Sequence, residues 1–379
     1  MKPLALIIVI AIIASAVLIF TPLSMNEIIA SFPLFRSLAD KSTTLQRGDS
    51  AIDKASIIRS IDSGTTWFPQ VAIDAGNNIP SVSVLNLALD RADSNIIYAG
   101  TEGDGLYKSV NNGQNWEKMF DRNRILADNA IIFDVAQDPR DVNTMYVVSF
   151  QNKYGVFLKS TDGGMSFTQT YISQLENYPV ETIALHPSFG NILYIGTGQG
   201  GVFMSEDFGE TWKVVTWLTG PVADLVINPN NPSEMYAVVR NRGLFRSTDG
   251  GRAWKEFSRE LSRISPYNNV IMFAMDPGNT NVLYLALANG LVRSENKGST
   301  WEFVKILIPP NALPVDSIAI DPKNSRRIYV GVSSLLYQSL DGGTNWSVQK
   351  LATHKRISDI VIDPRDSQSI FLAMKNVKK

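Results

Sequence analysis

Residues 339–346 read Ser339-Leu-Asp341-Gly-Gly343-Thr-Asn-Trp346, and this stretch decides the fold because the chain repeats it. The shared pattern is Ser-x-Asp/Asn-x-Gly-x-x-Trp/Phe, and we call each copy a box. There are seven boxes, which start at Ser60, Ser109, Ser160, Ser205, Ser247, Ser294 and Ser339. Their aromatic residues lie 49, 51, 45, 42, 47 and 45 residues apart. A period of this length indicates repeated units that pack on their neighbours.

A second pattern precedes each later box. It is an apolar strand, a polar turn that usually contains proline, and another apolar strand, as in IALHPSFGNILYIGT and IAIDPKNSRRIYVGV. The turns start at Asp90, Asp138, His186, Asn228, Asp276, Asp321 and Asp363. A third alternating segment leads into the box, and a fourth begins at the box aromatic residue. Four short strands per unit are typical of a propeller blade, and frequent Gly, Asn, Asp and Pro residues argue against a helical solenoid.

The order of these motifs predicts how the ring closes. The first box, at Ser60, has no proline turn before it, and the last turn, Asp363-Pro364, has no box after it. The N-terminal strand ASIIRS and the C-terminal strands ISDIVI and SIFLAM are therefore expected to share one blade. The prediction is an all-β, seven-bladed β-propeller of four-stranded blades. Pairing the first strand with the last leaves no open strand edge.

The repeated box residues are interpreted as scaffold. Serine and aspartate side chains in a tight turn accept backbone N–H bonds, and glycine supplies a positive φ. Asparagine can do the same capping but cannot serve as an acid or base. The structural set is Asp62, Asn111, Asp162, Asp207, Asp249, Asn296 and Asp341. A basic residue before the box serine is also assigned to the scaffold, at Arg59, Lys108, Lys159, Arg246 and Arg293.

The N-terminus carries a membrane signal. Residues 4–20 read LALIIVIAIIASAVLIF, without a charge, after Lys2. This length fits a short spanning helix, and Ala14-Ser15-Ala16 leaves a cleaved signal peptide as the alternative. Residues 1–22 are the expected anchor or signal, 23–55 a stalk and 56–379 the propeller. In either case the propeller is expected outside the cytoplasm, membrane-anchored or secreted.

Composition excludes several classes of protein. The 379 residues include 35 Lys and Arg against 36 Asp and Glu, which argues against a dedicated nucleic-acid binder. Cysteine is absent, and the histidines are His186 and His354, so neither a metal site nor a thiol nucleophile is expected. The glycines of 196–201 match a dinucleotide-binding pattern by letters but lead into a strand. No cofactor is therefore expected.

The seven boxes make the chain resemble the BNR/Asp-box β-propellers over about residues 56–379. Within that group its layout is most similar to the photosystem II stability/assembly factors, a sortilin/BNR-like subgroup with a single propeller on a membrane-associated N-terminus. The resemblance implies a protein partner. Sialidases are not favoured because their Arg-Ile-Pro element is missing, and xyloglucanase-type enzymes are similar but use two propellers around a cleft.

Candidate binding residues are those that break the repeat. They are expected where the second and third strands connect and where blades connect, because loops on a rigid scaffold carry binding. Trp217 stands out because the other six of the seven tryptophans lie in boxes. The remaining candidates are Arg122, Arg124, Arg240, Arg242, Arg259, Arg263, Tyr267, His354 and Arg356.

The sequence leaves three functions open. The first is a non-catalytic protein-binding or assembly module, tethered outside the cytoplasm and possessing no catalytic residues. The second is a glycoside hydrolase or glycan-binding propeller, which would use loop acids such as Asp104, Asp128 and Glu176 as a facing pair. The third is a receptor for an anionic polymer that uses the loop arginines.

Overall fold

The computed structural model describes residues 51–70, 82–264, 266, 268–308 and 314–377. These parts of the chain form seven four-stranded antiparallel sheets, the blades of a propeller. Blades one to six are each continuous in sequence. Blade one contains β3 (Val84–Leu89), β4 (Ile97–Thr101), β5 (Leu106–Ser109) and β6 (Glu117–Lys118). Blade two contains β7 (Ile131–Gln137), β8 (Met145–Gln151), β9 (Tyr154–Ser160) and β10 (Thr168–Ile172).

The next four blades repeat this order. Blade three contains β11 (Val180–Leu185), β12 (Leu193–Thr197), β13 (Gly201–Ser205) and β14 (Lys213–Trp217). Blade four contains β15 (Val222–Ile227), β16 (Met235–Val239), β17 (Gly243–Ser247) and β18 (Lys255–Glu256). Blade five contains β19 (Val270–Met275), β20 (Leu283–Leu287), β21 (Gly290–Ser294) and β22 (Glu302–Phe303). Blade six contains β23 (Ser317–Ile320), β24 (Ile328–Val332), β25 (Leu335–Ser339) and β26 (Ser347–Lys350).

Blade seven joins the two ends of the propeller. It contains β27 (Arg356–Ile362), β28 (Ile370–Lys375), β1 (Ile57–Ser60) and β2 (Phe68–Pro69). Strand β1 pairs antiparallel with β28, with Ile58 opposite Leu372. The predicted seven blades and composite closure are therefore confirmed.

A helical turn at 51–54 precedes β1 and packs on blade seven. Ala55 is fully buried, Ile52 packs against the same core cluster, and the buried Lys355 ammonium donates to the Ala55 carbonyl oxygen at 2.9 Å. The packed part of the propeller thus begins a few residues before the expected start at 56. The expected anchor and most of the stalk lie outside the described residues. Within the described part of the chain, no helix is long and apolar enough to cross a membrane.

An aromatic residue in each second strand fills the space between blades. The set is Tyr98, Tyr146, Tyr194, Tyr236, Tyr284, Tyr329 and Phe371. Each faces, on the third strand, the residue that precedes the box serine, as Tyr98 faces Lys108. The cation lies over the ring in several blades; Arg59, for example, is 5.2 Å from the centroid of Phe371. Packing of this kind gives the repeated basic residues a structural role.

The seven boxes share one hydrogen-bond pattern. The buried serine hydroxyl donates to the Asp or Asn side chain and accepts the glycine N–H, as in Ser160 to Asp162 at 2.8 Å and Gly164 to Ser160 at 2.9 Å. The Asp or Asn oxygen then accepts a backbone N–H four residues on. Asn111 and Asn296 make the same contacts, at 2.8 Å each. The box glycines have φ between 80° and 90°, a range that favours glycine.

Ser160→Ala is expected to lower the free energy of unfolding by about 2 kcal/mol, because the buried N–H of Gly164 and the partly buried N–H of Asp162 lose their acceptor. Asp162→Asn is the matched control and should cost less than about 1 kcal/mol, since asparagine already fills this position twice. Urea denaturation measures both changes. Equal losses in the two variants would contradict this account of the box.

Candidate functional site

The propeller has two chemically distinct faces. The boxes and the proline turns lie together on one face, the box face. The second-to-third-strand connections lie on the opposite face, the loop face, where each inner strand also begins. The inner strands β3, β7, β11, β15, β19, β23 and β27 surround a central channel, and contacts between successive members hold much of the ring together.

Three ion pairs surround the loop-face end of this channel, and each joins two neighbouring blades. Arg240 holds Glu181 with two contacts, Nη1 to Oε1 at 2.8 Å and Nη2 to Oε2 at 2.5 Å. The Nε of Arg356 lies 3.2 Å from both carboxylate oxygens of Asp316, and its Nη2 also contacts Oδ1. The Lys375 ammonium lies 3.3 Å from Glu102 Oε1. The mouth of the channel is thus lined by three cations and three carboxylates, paired across blade boundaries.

The Glu181–Arg240 pair is the most asymmetric of the three. The Glu181 side chain is 2% exposed and the Arg240 side chain is 49% exposed. Burial raises the pKa of Glu181, and the Arg240 guanidinium opposes that rise. Removing the arginine alone would leave a buried carboxylate without its partner, a change that commonly costs 3–5 kcal/mol.

A ring of seven residues, all polar except a methionine in blade five, lies further inside the channel. Each belongs to an inner strand, and in every blade except blade six it directly follows a β-bulge. The ring consists of Asn86, Asp134, Thr182, Asp224, Met272, Ser317 and Asp359. A bulge turns two successive side chains toward the same side, so a polar side chain can enter the channel without displacing the blade core.

Several ring residues connect one inner strand to the next. Asp134 accepts the Ile183 N–H of blade three at 3.3 Å, and Asp359 accepts the Leu87 N–H of blade one at 2.9 Å. Thr182 accepts the Leu225 N–H of blade four at 3.3 Å. These bonds hold neighbouring blades in register.

The three ring aspartates hold their protons to a much higher pH than ordinary carboxyl groups do. Burial raises the pKa of Asp134 and of Asp224 to about 7, and that of Asp359 to about 6. Mutual repulsion adds to the rise at Asp134, because Asp224 and Asp359 carry the same charge nearby. Backbone N–H bonds work in the opposite direction.

The mouth and the outer part of the ring enclose a cavity of about 510 Å³. Its walls combine the charged groups with apolar side chains from three inner strands, namely Leu85, Ile131, Phe133, Ile271 and Met272. Across the described ranges, no group of three acidic or histidine side chains is arranged to hold a metal ion.

The structure brings only part of the candidate set to the channel. Arg240 and Arg356 line its mouth. Arg242 lies in the same connection as Arg240 but pairs with Glu256 at 2.7 Å. Trp217 ends β14 on the loop face, with 55% of its surface exposed and its ring 5.9 Å from that of Phe203. His354 is exposed beside Asp53, at 3.1 Å.

Other candidates lie away from the channel. The Arg122 backbone N–H donates to Met165 of the neighbouring box at 3.1 Å, which places the exposed Arg122 and Arg124 in a segment that folds against a box. Arg259 and Arg263 are exposed in the connection from blade four to blade five. Tyr267 lies outside the described residues.

The loop acids proposed for glycoside hydrolysis do not line the cavity. Asp104 contacts Lys118 at 3.1 Å and accepts the Tyr107 hydroxyl at 2.7 Å. Glu176 pairs with Lys153 at 3.5 Å, and Asp128 is exposed. The channel aspartates were missed from sequence. The available signal was an acid inside otherwise apolar inner strands, as in IIFDVAQ, VADLVI and RISDIVI.

The fold and the channel together define a single seven-bladed propeller with an Asp-box scaffold and a charged axial cavity. The chain belongs to the family described as the DUF6242 beta-propeller domain, whose model matches residues 134–352.

The chain is 28% identical over 149 residues to the xyloglucanase Xgh74A of Acetivibrio thermocellus. The aligned region covers 36% of this chain and 18% of that protein. A xyloglucanase of Hypocrea jecorina is 30% identical over 165 residues, 42% of this chain and 16% of that protein. The chain thus matches less than a fifth of the length of these curated relatives.

Solved structures resemble the chain over most of its length. The GH74 xyloglucanase of Xanthomonas campestris superposes with a TM-score of 0.64 at 18% identity, covering 77% of this chain and 51% of that one. YCF48 bound to a D1 peptide superposes with a TM-score of 0.61 at 17% identity, covering 82% of this chain and 99% of that one. YCF48 from Cyanidioschyzon merolae gives 0.60 at 16% identity, with 79% and 97% covered. These likenesses concern the fold.

Proposed function

We propose that the protein is a non-catalytic binding module that recognises a protein partner through its loop face, centred on the channel mouth. The observation that carries this proposal is the rim of three interblade ion pairs, which holds charged groups in fixed positions on a closed ring. Fixed charges select a complementary partner surface and suppress others. Trp217 adds a large exposed aromatic side chain to the same face, the residue type most enriched among binding hot spots.

The likeness to YCF48 supports this proposal at the level of fold. That protein is a single propeller seen with a bound peptide, and this chain spans 99% of its length. A single propeller is therefore a sufficient scaffold for peptide binding in one protein of this shape.

The test is affinity capture from solubilised native membranes with the full-length protein as bait. Trp217→Ala with Lys375→Ala is the loop-face variant, because it removes the exposed aromatic side chain and one cation of the rim but leaves Arg240 on buried Glu181. We expect a protein that wild type captures to be reduced at least tenfold with this variant, about 1.4 kcal/mol of binding free energy.

The control variant carries matched changes on the box face, Phe189→Ala with Arg326→Ala, both of which are exposed positions. It should capture the partner as wild type does. Equal capture by both variants and wild type would place the binding surface elsewhere and contradict the proposal.

A second candidate is a glycan-binding or glycoside-hydrolase role, favoured by the sequence similarity to xyloglucanases. In such an enzyme one carboxyl would have to be protonated near neutral pH, and burial raises the pKa of Asp134 to about 7, which leaves this carboxyl partly protonated there. The channel is enclosed by inner strands, however, and differs from an open groove. Incubation with xyloglucan and other polysaccharides tests this role, and release of reducing ends by wild type but not by Asp134→Asn would establish it.

We further propose that the propeller is held outside the cytoplasm, anchored by the apolar run at 4–20 or released when that run is cleaved. The run without charges and the preceding Lys2 support this placement. Alkaline extraction of membranes, followed by mass determination of the mature N-terminus, distinguishes an anchor from a cleaved signal. Recovery of the intact chain in the cytoplasmic fraction would contradict both.

A further inference from the structure

One half of the loop face carries exposed cations that have no acidic partner. They lie in or beside the connections that join blades four to five, five to six and six to seven, and in the helical turn at 51–54. Within the described part of the chain, none of them forms an ion pair. We call this set the cationic arc, and it consists of Lys54, Arg259, Arg263, Lys305 and Lys350.

The acids in the same connections already have partners. Glu260 pairs with Lys255, and Asp316 pairs with the arginine that blade seven contributes to the rim. Asp53 accepts the backbone N–H of His354 at 2.8 Å. The charge of the cationic arc is therefore uncompensated on this half of the face, although the 35 basic and 36 acidic residues of the whole chain nearly cancel.

The other half of the loop face has no such excess. Lys153 pairs with Glu176 at 3.5 Å in blade two. In the connection between blades one and two, Arg124 and Asp128 are both exposed, and their charges cancel. Unpaired positive charge on the loop face is therefore concentrated in blades four to seven.

The spacing of the cationic arc indicates a flat partner. Its members lie on four blades around the rim, so a compact anion can reach only those of one connection, whereas a flat anionic surface meets all of them together. Leu307, two residues after Lys305, is 82% exposed, more than any other large apolar side chain in the described ranges. The headgroup layer of an anionic bilayer attracts cations and also accepts apolar side chains.

The described part of the chain also begins on this half of the loop face. The Lys355 ammonium donates to the carbonyl oxygens of Lys54 and Ala55 at 3.2 and 2.9 Å, which fixes the helical turn at 51–54 beside the connection from blade six to blade seven. The chain that precedes residue 51 therefore joins the propeller at the cationic arc. That preceding chain includes the apolar run at 4–20.

We propose that the cationic arc docks on the anionic lipid surface of the membrane that holds the chain, with Leu307 among the headgroups. The proposal rests on the membrane anchor proposed above and adds which face of the propeller meets the lipid. Docking in this way turns the channel mouth toward the bilayer, so the protein partner of the loop face is one that the membrane presents. The attraction is electrostatic and is screened by salt.

Energy transfer between the full chain and the lipids of nanodiscs tests this orientation. The chain has no cysteine, so Asn269→Cys on the loop face and Asn230→Cys on the box face, both exposed positions, each carry a single donor dye. The discs contain an acceptor-labelled lipid in phosphatidylcholine, alone or mixed with phosphatidylglycerol. In mixed discs we expect stronger transfer from the loop-face dye than from the box-face dye. This difference should be lost in phosphatidylcholine discs and at high salt.

Lys305→Glu with Lys350→Glu is the site variant, and Arg91→Glu with Arg326→Glu makes the same change of charge at exposed positions on the box face. The site variant should lose the difference between the two dyes in mixed discs, and the control should keep it. Equal transfer from both dyes in wild type, or a difference that persists in the folded site variant, would overturn the proposal. Salt-sensitive capture of an acidic protein without lipid docking would overturn it in favour of that protein. A chain that enters neither kind of disc would contradict the anchor itself.

Discussion

A chain that ends at Arg356 is expected to lose its cooperative unfolding transition. Deletion of residues 357–379 removes nearly all of β27 and all of β28, the inner and second strands of blade seven. Strand β1 then has no partner on one side, because it pairs with β28 from Ile57 to Ser60. The remaining six blades form an open ring with two exposed edges.

The size of the effect follows from what those strands bury. Ile357, Ile360, Ile370, Leu372 and Met374 belong to the core cluster that also contains Trp67 and Tyr329, while Phe371 packs with Trp116 on the side of blade one. Loss of one such side chain typically costs 2–5 kcal/mol, and a whole domain is stable by about 5–15 kcal/mol. The combined cost of losing these six side chains exceeds the free energy of unfolding of the propeller.

Circular dichroism during heating, with size-exclusion chromatography, measures this result. The truncated chain should show no sigmoidal transition and should elute as an expanded or aggregated species. Deletion of 377–379 is the matched control, because Val377 is exposed and follows the last strand. A sharp transition in the longer truncation would show that six blades suffice and would contradict the role assigned to closure.

Closure could be predicted from sequence because it depends on motif order alone. The box at Ser60 without a preceding turn, and the turn at Asp363 without a following box, identify two incomplete blades whatever the side-chain contacts are. The scaffold role of the boxes could also be predicted from sequence, since Asn111 and Asn296 substitute for aspartate in the same hydrogen bonds. Repetition supplies several independent observations of one local geometry.

The candidate site was harder to predict from sequence because it depends on contacts between blades. Glu181 and Arg240 are 59 positions apart, and nothing local in the sequence pairs them. The ring aspartates enter the channel only because a bulge shifts the alternation of β7, β15 and β27, and single-sequence periodicity does not reveal a bulge. The segment at Arg122 was expected on the loop face from its place between blades, but a backbone hydrogen bond from Arg122 to Met165 holds it against a box.

The free energy of unfolding is expected to fall as pH rises from about 4 to about 7, and this fall should depend on Asp134 and Asp224. Both carboxyls have a pKa of about 7 in the folded protein because of burial, against about 4 in an unfolded chain. Between these values the folded state binds more protons than the unfolded state, so stability decreases with rising pH. One carboxyl with this shift of about three units accounts for up to about 4 kcal/mol.

Below about pH 4 the box aspartates have the opposite effect, and the free energy of unfolding rises with pH. Side-chain and backbone hydrogen bonds lower the pKa of Asp162, Asp207 and Asp341 to about 2. Stability from these carboxylates is present above the unfolded pKa of about 4 and is lost as pH falls toward 2. The maximum is therefore expected near pH 4 to 5, where the ring aspartates are still protonated and the box aspartates are already ionised.

Asp134→Asn with Asp224→Asn should largely remove the fall between pH 4 and 7. Asparagine keeps an oxygen for the Ile183 N–H of the next blade and does not ionise, so the variant should exceed wild type at pH 8 by several kcal/mol. A smaller slope should remain between pH 4 and 6, because Asp359 is intact and has a pKa of about 6. Urea denaturation at intervals from pH 4 to 8 measures the curves, with Asp93→Asn and Asp141→Asn as the control of equal charge. Parallel curves for wild type and the ring variant would mean that the channel carboxyls are already ionised at pH 4, and would contradict a pKa raised by burial.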